Sequence, residues 1–187
     1  MAKLIYFTPT SLDGYIAGDG NFDWSAPSEE TFSFMTGLIR PMGTYLYGRK
    51  EYETMAVWAT PEVLPGLTPG MLDFARIWQQ AEKIVYSRTW ESLSAPRTRL
   101  ERTFDPAAVR QWKAEASLDL SIAGPTLAAE AIQAGLVDEY QLLVLPELLG
   151  EGIPVLSAKV RRSLQLLDER RFANGAVYLR YQAEPLV

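Results

Sequence analysis

The chain has no cysteine and no histidine in its 187 residues. Without cysteine there is no disulfide, no thiolate nucleophile and no cysteine-ligated metal. Without histidine there is no Ser-His-Asp triad, no imidazole base and no histidine-bound zinc. Long apolar runs are missing too, since nothing approaches the roughly 20 residues that a membrane span requires. Positive charge is not in excess: 18 Lys and Arg stand against 23 Asp and Glu, a net charge of −5. A general nucleic-acid binder needs a basic face to neutralise phosphates, so that class is set aside. The chemistry that remains rests on carboxylates, Lys and Arg, hydroxyls, or a cofactor that brings its own reactivity. A local cationic spot is still able to hold a small anionic ligand.

What is present reads as a single domain over residues 1–187, long enough to bury a sizeable core. No repeat, low-complexity tract or linker divides it. The opening MAKLIYFTPTS carries no signal-peptide pattern and runs straight into a strand, which implies a cytoplasmic protein.

Periodicity and turn chemistry order the elements. KLIYFT (3–8) reads as a strand, followed by a polar loop bearing Asp13, Asp19, Asp23 and Gly14, Gly18, Gly20. Long polar loops in compact domains often carry function. SAPSEETFSFMTGLI opens with Ser, Pro and Glu helix-entry signals, and Phe32, Met35, Leu38 and Ile39 follow at helical spacing. TYLYGRKEYETM reads as strand, glycine turn and helix. The stretch 59–70, with Pro61, Pro65, Pro69, Gly66 and Gly70, reads as a loop before the amphipathic helix MLDFARIWQQA. KIVYS and RLERTF read as strands, and Asp105-Pro106 as the N-cap and first residue of a helix. LSIA is a strand, 125–134 a helix and DEYQLLVLP a long strand. The chain closes on a hairpin with Asn174-Gly175 at its turn. Strands alternating with helices and closed by an antiparallel hairpin imply an α/β domain with a mixed sheet.

Three segments repeat one form: apolar strand, small residue, polar or cationic residue, helix or loop. They are Tyr47-Gly48-Arg49-Lys50, Tyr86-Ser87-Arg88-Thr89 and Ala123-Gly124-Pro125-Thr126. In open α/β sheets ligands sit at the carboxyl ends of strands, where helix N-termini offer free N–H groups to anions. Arg49 and Arg88 would add bidentate, charge-assisted bonds. Each piece also has a plain structural reading, as a tight turn or a polar strand end. Pro125 has no N–H to give, yet it suits a first helical position. Trp24, Phe32, Tyr45, Tyr47 and Trp58 are able to stack on a planar heterocycle or to fill the core.

SLDGYIAG (11–18), LYGRKEYETM (46–55), KIVYSRTW (83–90) and SIAGPTLAAEAIQAGLVDEYQLLVLPELLGEGIPVL (121–156), in this order and with the final hairpin, cover nearly the whole chain. Together they resemble the dihydrofolate-reductase-like superfamily, in the branch related to the C-terminal reductase domain of bacterial riboflavin-biosynthesis deaminase-reductases. The resemblance implies a three-layer sandwich: a twisted mixed sheet of about eight strands, helices on both faces, and a C-terminal antiparallel hairpin. It also implies NADPH as cofactor and a homodimer, with the strand region 138–146 as the place of contact.

Carried onto this chain, the resemblance gives Gly48, Arg49 and Lys50 the cofactor phosphates, and Ser87 and Arg88 the adenosine 2′-phosphate. Gly124, Pro125, Thr126 and Leu127 would lie along the pyrophosphate, and Ile16 and Ala17 near the nicotinamide carboxamide. The family usually has a run of glycines where this chain has Ala123-Gly124-Pro125. Alanine adds a methyl and proline removes a donor, so the cradle is expected to be weakened. Catalytic candidates are Asp13, in the loop expected at the nicotinamide, and Glu29, placed after Trp24-Ser25-Ala26-Pro27 as the pterin-contacting carboxylate is in dihydrofolate reductases. Asp13-Gly14 is also a good turn, and a first-turn Glu is favoured by the helix dipole alone.

The expected function is therefore an NADPH-dependent oxidoreductase that transfers a hydride to a small heterocyclic (pterin- or pyrimidine-like) or carbonyl substrate. The alternatives are a non-catalytic nucleotide- or pterin-binding module with a degraded cradle, and a ligand-free dimeric scaffold. The expected partners are a small-molecule substrate and a second copy of the chain, with neither nucleic acid nor membrane.

Overall fold

Period-two alternation along the strands sends successive side chains to opposite faces of one sheet, and helices cover both. In the computed structural model, which describes residues 1–16, 23–93 and 95–184, the order is β1 (Leu4–Ser11), α1 (Glu29–Ile39), β2 (Met42–Gly48), α2 (Arg49–Met55), α3 (Pro69–Gln80), β3 (Glu82–Tyr86) and β4 (Thr98–Glu101). Then follow α4 (Pro106–Glu115), β5 (Asp119–Ala123), α5 (Pro125–Gln133), β6 (Glu139–Leu145), β7 (Leu164–Arg171) and β8 (Val177–Ala183). Among the described residues the strands form one eight-stranded sheet ordered β4-β3-β2-β5-β1-β6-β8-β7. The pairs from β4 to β6 are parallel, while β6–β8 and β8–β7 are antiparallel.

Leu4 and Tyr6, Leu46, Ile84, Leu120 and Ile122 face α4 and α5, where Val109, Leu127, Ala128 and Ala131 meet them. Ile5, Tyr45, Tyr47 and Val85 point the other way, onto Tyr52 of α2 and Phe74 and Trp78 of α3. Each such side chain, fully buried, contributes about 1.5–3 kcal/mol of transfer free energy. A third cluster, Leu143, Leu145, Phe172 and Tyr178, takes Phe34, Met35 and Leu38 from α1. Capping sets the helix starts: Ser28, Thr68 and Asp105 side chains accept from the amides of Thr31, Met71 and Ala107.

Two boundaries differ from the sequence expectation. β1 runs through Pro9 to Ser11, because β5 pairs only with Leu4, Ile5 and Tyr6, so Pro9 has a ladder neighbour on one side only. α3 begins at Pro69, inside the stretch that reads as loop, since Thr68 caps it and Pro suits its first turn.

The connections position the site. From β2 the chain crosses by α2 and α3 toward β3. From β5 it crosses by α5 on the opposite face toward β6. The β2–β5 pair is thus the point where the winding reverses, the place where open α/β sheets take their ligands. β6, by contrast, is flanked by β1 and β8 and mostly buried, so the 138–146 region has no free edge through which to pair with another copy. Among the described residues no helix is long and apolar enough to cross a membrane.

Candidate functional site

At the carboxyl ends of β2 and β5, Tyr47 lies opposite Ala123, and the next residue on each strand is glycine. Gly124 takes φ +93°, and a side chain begun there would meet Gly48 N at 3.7 Å, Gly48 Cα at 3.8 Å and Glu51 Cβ at 3.6 Å. Gly124 thus meets the Gly48 backbone and the root of the Glu51 side chain, in a conformation that L side chains rarely adopt. Ala123 does not fill the crevice at these strand ends, because its methyl packs with the aromatic cluster under α2 and α3. Pro125 occupies the first position of α5, and the earliest amide to close that helix is Ala128, which donates to Gly124 O at 2.9 Å. The open donors at this end are the amides of Thr126 and Leu127. Thr126 is exposed, while the Leu127 side chain is buried and approaches Gly48.

Cations stand beside the crevice. Arg49 and Lys50 are exposed at the start of α2, and Arg49 Nη1 is 3.4 Å from Glu53 Oε1, a surface pair of little energetic weight. One strand further out, Ser87 is buried at the end of β3, where its hydroxyl accepts from the Trp90 amide at 3.2 Å and the Thr89 amide at 3.4 Å. Arg102 donates to the carbonyls of Ser87 and Trp90 and so fixes this turn. Arg88 is exposed and has no ion-pair or hydrogen-bond partner among the described residues.

On the other side of β5, Asp13 closes a loop. Its carboxylate accepts from Ser11 Oγ at 2.6 Å, Gly150 N at 2.7 Å and Leu149 N at 3.2 Å, and these bonds hold its pKa below the usual value. A carboxylate so engaged positions the turn after β1 against residues 147–155 and is a poor proton donor at neutral pH. Ile16 is buried in the same joint, its amide donating to Ile153 O at 2.9 Å. Ala17 lies outside the described residues.

Glu29 is separate from the crevice. It stands in the first turn of α1 and lines a cavity of about 670 Å³ with Phe32, Ser33, Trp58, Leu64 and Met71. Phe32, Trp58 and Phe74 form an aromatic wall, with ring centroids 4.6–6.0 Å apart. Of the aromatic residues singled out from the sequence, Tyr45 and Tyr47 are core, Trp24 packs on the third cluster, and Phe32 and Trp58 reach a cavity.

One residue at the crevice escaped the sequence reading. Glu51, in the first turn of α2, is half-buried, and burial pushes its carboxyl pKa up. A carboxylate in a helix's first turn is so ordinary that the sequence offered no signal for it.

The profile of the RibD C-terminal domain family matches residues 2–178. The chain belongs to that family. Among curated proteins, this member is similar to the uncharacterized protein YyaP of Bacillus subtilis, 26% identical over 96% of this chain and 94% of that one. Solved structures share the fold. One from Shewanella sp. PV-4, which carries a provisional riboflavin-biosynthesis name, superposes with TM-score 0.75 and 21% identity over 99% of this chain and 100% of that one. A pyrimidine reductase-like protein of Corynebacterium diphtheriae gives 0.70 at 13% identity, over 98% and 92%. The deaminase/uracil reductase of Thermotoga maritima gives 0.66 at 14%, over 97% of this RibD-type chain and 56% of its own.

Proposed function

We propose that this RibD-family protein is a reductase that takes a hydride from NADPH and delivers it to a small planar heterocycle of the pyrimidine or pterin kind. The observation that carries the reading is the close approach of Gly48 and Gly124 at the winding reversal, with Arg49 next in chain to Gly48 and Arg88 past the end of the neighbouring strand β3. Bare backbone admits a phosphate closely, and the amides of Thr126 and Leu127 with the Arg49 guanidinium are suited to hold the pyrophosphate. Arg88, without an ion-pair or hydrogen-bond partner among the described residues, is suited to a 2′-phosphate. When bound, NADPH supplies the hydride, which is chemistry a chain without histidine or cysteine does not carry itself.

The protein's share is placement. The cavity behind Phe32 and Trp58 is of the size that small ligands occupy, and its aromatic wall suits a flat ring. Glu29, on the wall of that cavity, offers a carboxylate to ring N–H groups. The family and the reductase names of its structural neighbours support a pyrimidine-type substrate.

Titration of tryptophan fluorescence with NADPH and NADH tests the reading. Saturable binding that prefers NADPH is expected, and Arg88→Ala is expected to weaken NADPH by about tenfold or more while leaving NADH nearly unchanged. Equal affinity for the two nucleotides, unaltered by Arg88→Ala, would remove the 2′-phosphate role. Loss of NADPH absorbance that depends on an added pyrimidine or pterin separates a reductase from a module that only binds the nucleotide.

A further inference from the structure

The phosphate-binding reading meets one opposing group. Glu51 Cβ lies 3.6 Å from the point where a Gly124 side chain would begin, so the residue stands directly over the Gly48–Gly124 contact. Its charge is felt by both Tyr6 and Tyr47. Those two tyrosines lie on opposite faces of the sheet, Tyr6 with α4 and α5 and Tyr47 with α2 and α3. Gly48 and Gly124 follow Tyr47 and Ala123 at the ends of β2 and β5, and the Glu51 side chain begins beside Gly124 at that meeting point.

Among the described residues Glu51 has no hydrogen bond and no ion pair. On its own helix Arg49 is paired with Glu53, and Lys50 is exposed. From β1 and β2 the titratable groups that face it are Tyr6 and Tyr47, whose hydroxyls are themselves held neutral by burial. β5 and the start of α5 bring Ala123, Gly124, Pro125, Thr126 and Leu127, none of which titrates. An ionised Glu51 and a ligand pyrophosphate held at Gly124 would therefore be close like charges, which repel.

We propose that Glu51 makes ligand binding at this crevice proton-coupled: a pyrophosphate-bearing nucleotide enters together with a proton that Glu51 takes up. The inference rests on the cofactor reading and deepens it. Burial already moves the carboxyl toward the protonated form, in the direction that proton uptake on binding requires. Binding then weakens as pH rises, and Glu51 sets the affinity in place of the donor that Pro125 lacks.

Calorimetric titration with NADP⁺ in two buffers of different ionisation enthalpy reads the proton directly, and NADP⁺ withstands acid. The wild-type protein is expected to take up a substantial fraction of one proton per site at pH 7. Glu51→Gln is expected to bind about tenfold tighter at pH 8 and to take up markedly less. Glu51→Ala serves as a second variant, with the same direction expected. Because the ligand's own 2′-phosphate titrates equally with each protein, the difference between wild type and variant isolates Glu51. Equal affinity and equal proton uptake in wild type and variants would overturn the proposal and leave the cofactor reading standing. Folded proteins that bind no NADP⁺ between pH 5.5 and 8.5, variants included, would overturn the cofactor reading and the proposal with it. Binding by the variants alone would support both.

Discussion

Glu139 is 1% exposed and yet remains an anion, because three side chains surround it. Burial alone would raise its pKa, but hydrogen bonds from Arg180 (2.8 and 3.0 Å), Lys3 (2.5 Å) and Gln141 (3.3 Å) outweigh burial and bring it down to about 2. The folded pKa is thus depressed below the ordinary 4.5. The stabilisation is fully present above the unfolded value and is lost as pH falls from about 4.5 toward 2, on the order of 3 kcal/mol in all. Denaturant titrations across pH 2–7 are expected to show this loss. Glu139→Gln is expected to be less stable at pH 7 by a similar amount and to have a shallower slope below pH 5; an unchanged slope would place the acid sensitivity elsewhere. At this scale the sequence tells least. Glu29, Glu51 and Glu139 are the same letter, and the first two even share a first-turn position. What separates them is a cavity wall, a meeting of strand ends and a buried site ringed by Arg180, Lys3 and Gln141, each assembled from residues far apart in the chain.

Single elements were more legible, because capping and turn chemistry are local. Asp105-Pro106 and Asn174-Gly175 mark in the sequence the ends they mark in the structure, and the Ser, Pro and Glu signals of SAPSEE bracket the start of α1. The long extension of β1 through Pro9 and the early start of α3 were not legible, since each depends on which neighbour is, or is not, beside the residue. The segment Ala123-Gly124-Pro125 shows both sides. Its glycine reads as a turn, and the structure places that turn against Gly48. Its alanine reads as an obstruction, and the structure turns the methyl into the aromatic cluster instead. Gly124→Ala is expected to cost about 1–3 kcal/mol, because φ +93° is strained for any side chain. The same change is expected to weaken NADPH, since a methyl would stand within 4 Å of Gly48. Pro125→Gly restores a donor at the start of α5 and is expected to tighten NADPH. Thermal melts and nucleotide titrations of the two variants check both halves. A Pro125→Gly protein with unchanged affinity would mean that Thr126 and Leu127 already supply all the amides the ligand uses.

At the scale of the molecule, β7 is an edge of the sheet that the described residues leave uncovered. β7 is exposed along its whole length and closes the sheet, with β8 on its inner side. Its second half, Asp168–Arg171, is charged in the manner that keeps edges from pairing. Its first half is not: Leu164, Leu166 and Leu167 are 37%, 49% and 40% exposed, and Leu156 and Val160 nearby in sequence are also exposed. An apolar half-edge in water is unfavourable unless something covers it. A second copy laid antiparallel along β7 would place leucines on leucines about a two-fold axis, the isologous arrangement that most homodimers use. We propose that the dimer expected from the family resemblance forms along β7, since the 138–146 region offers no edge. Light scattering after gel filtration is expected to give about twice the 20.9 kDa chain mass for the wild type. Leu166→Glu, a change at an exposed position that leaves the protomer's core untouched, is expected to shift the protein to monomer while nucleotide affinity stays the same, because the crevice lies at β2 and β5, strands distant from this edge. A wild-type monomer at tens of micromolar, or a Leu166→Glu dimer, would show that the leucines of β7 are not what holds two copies together.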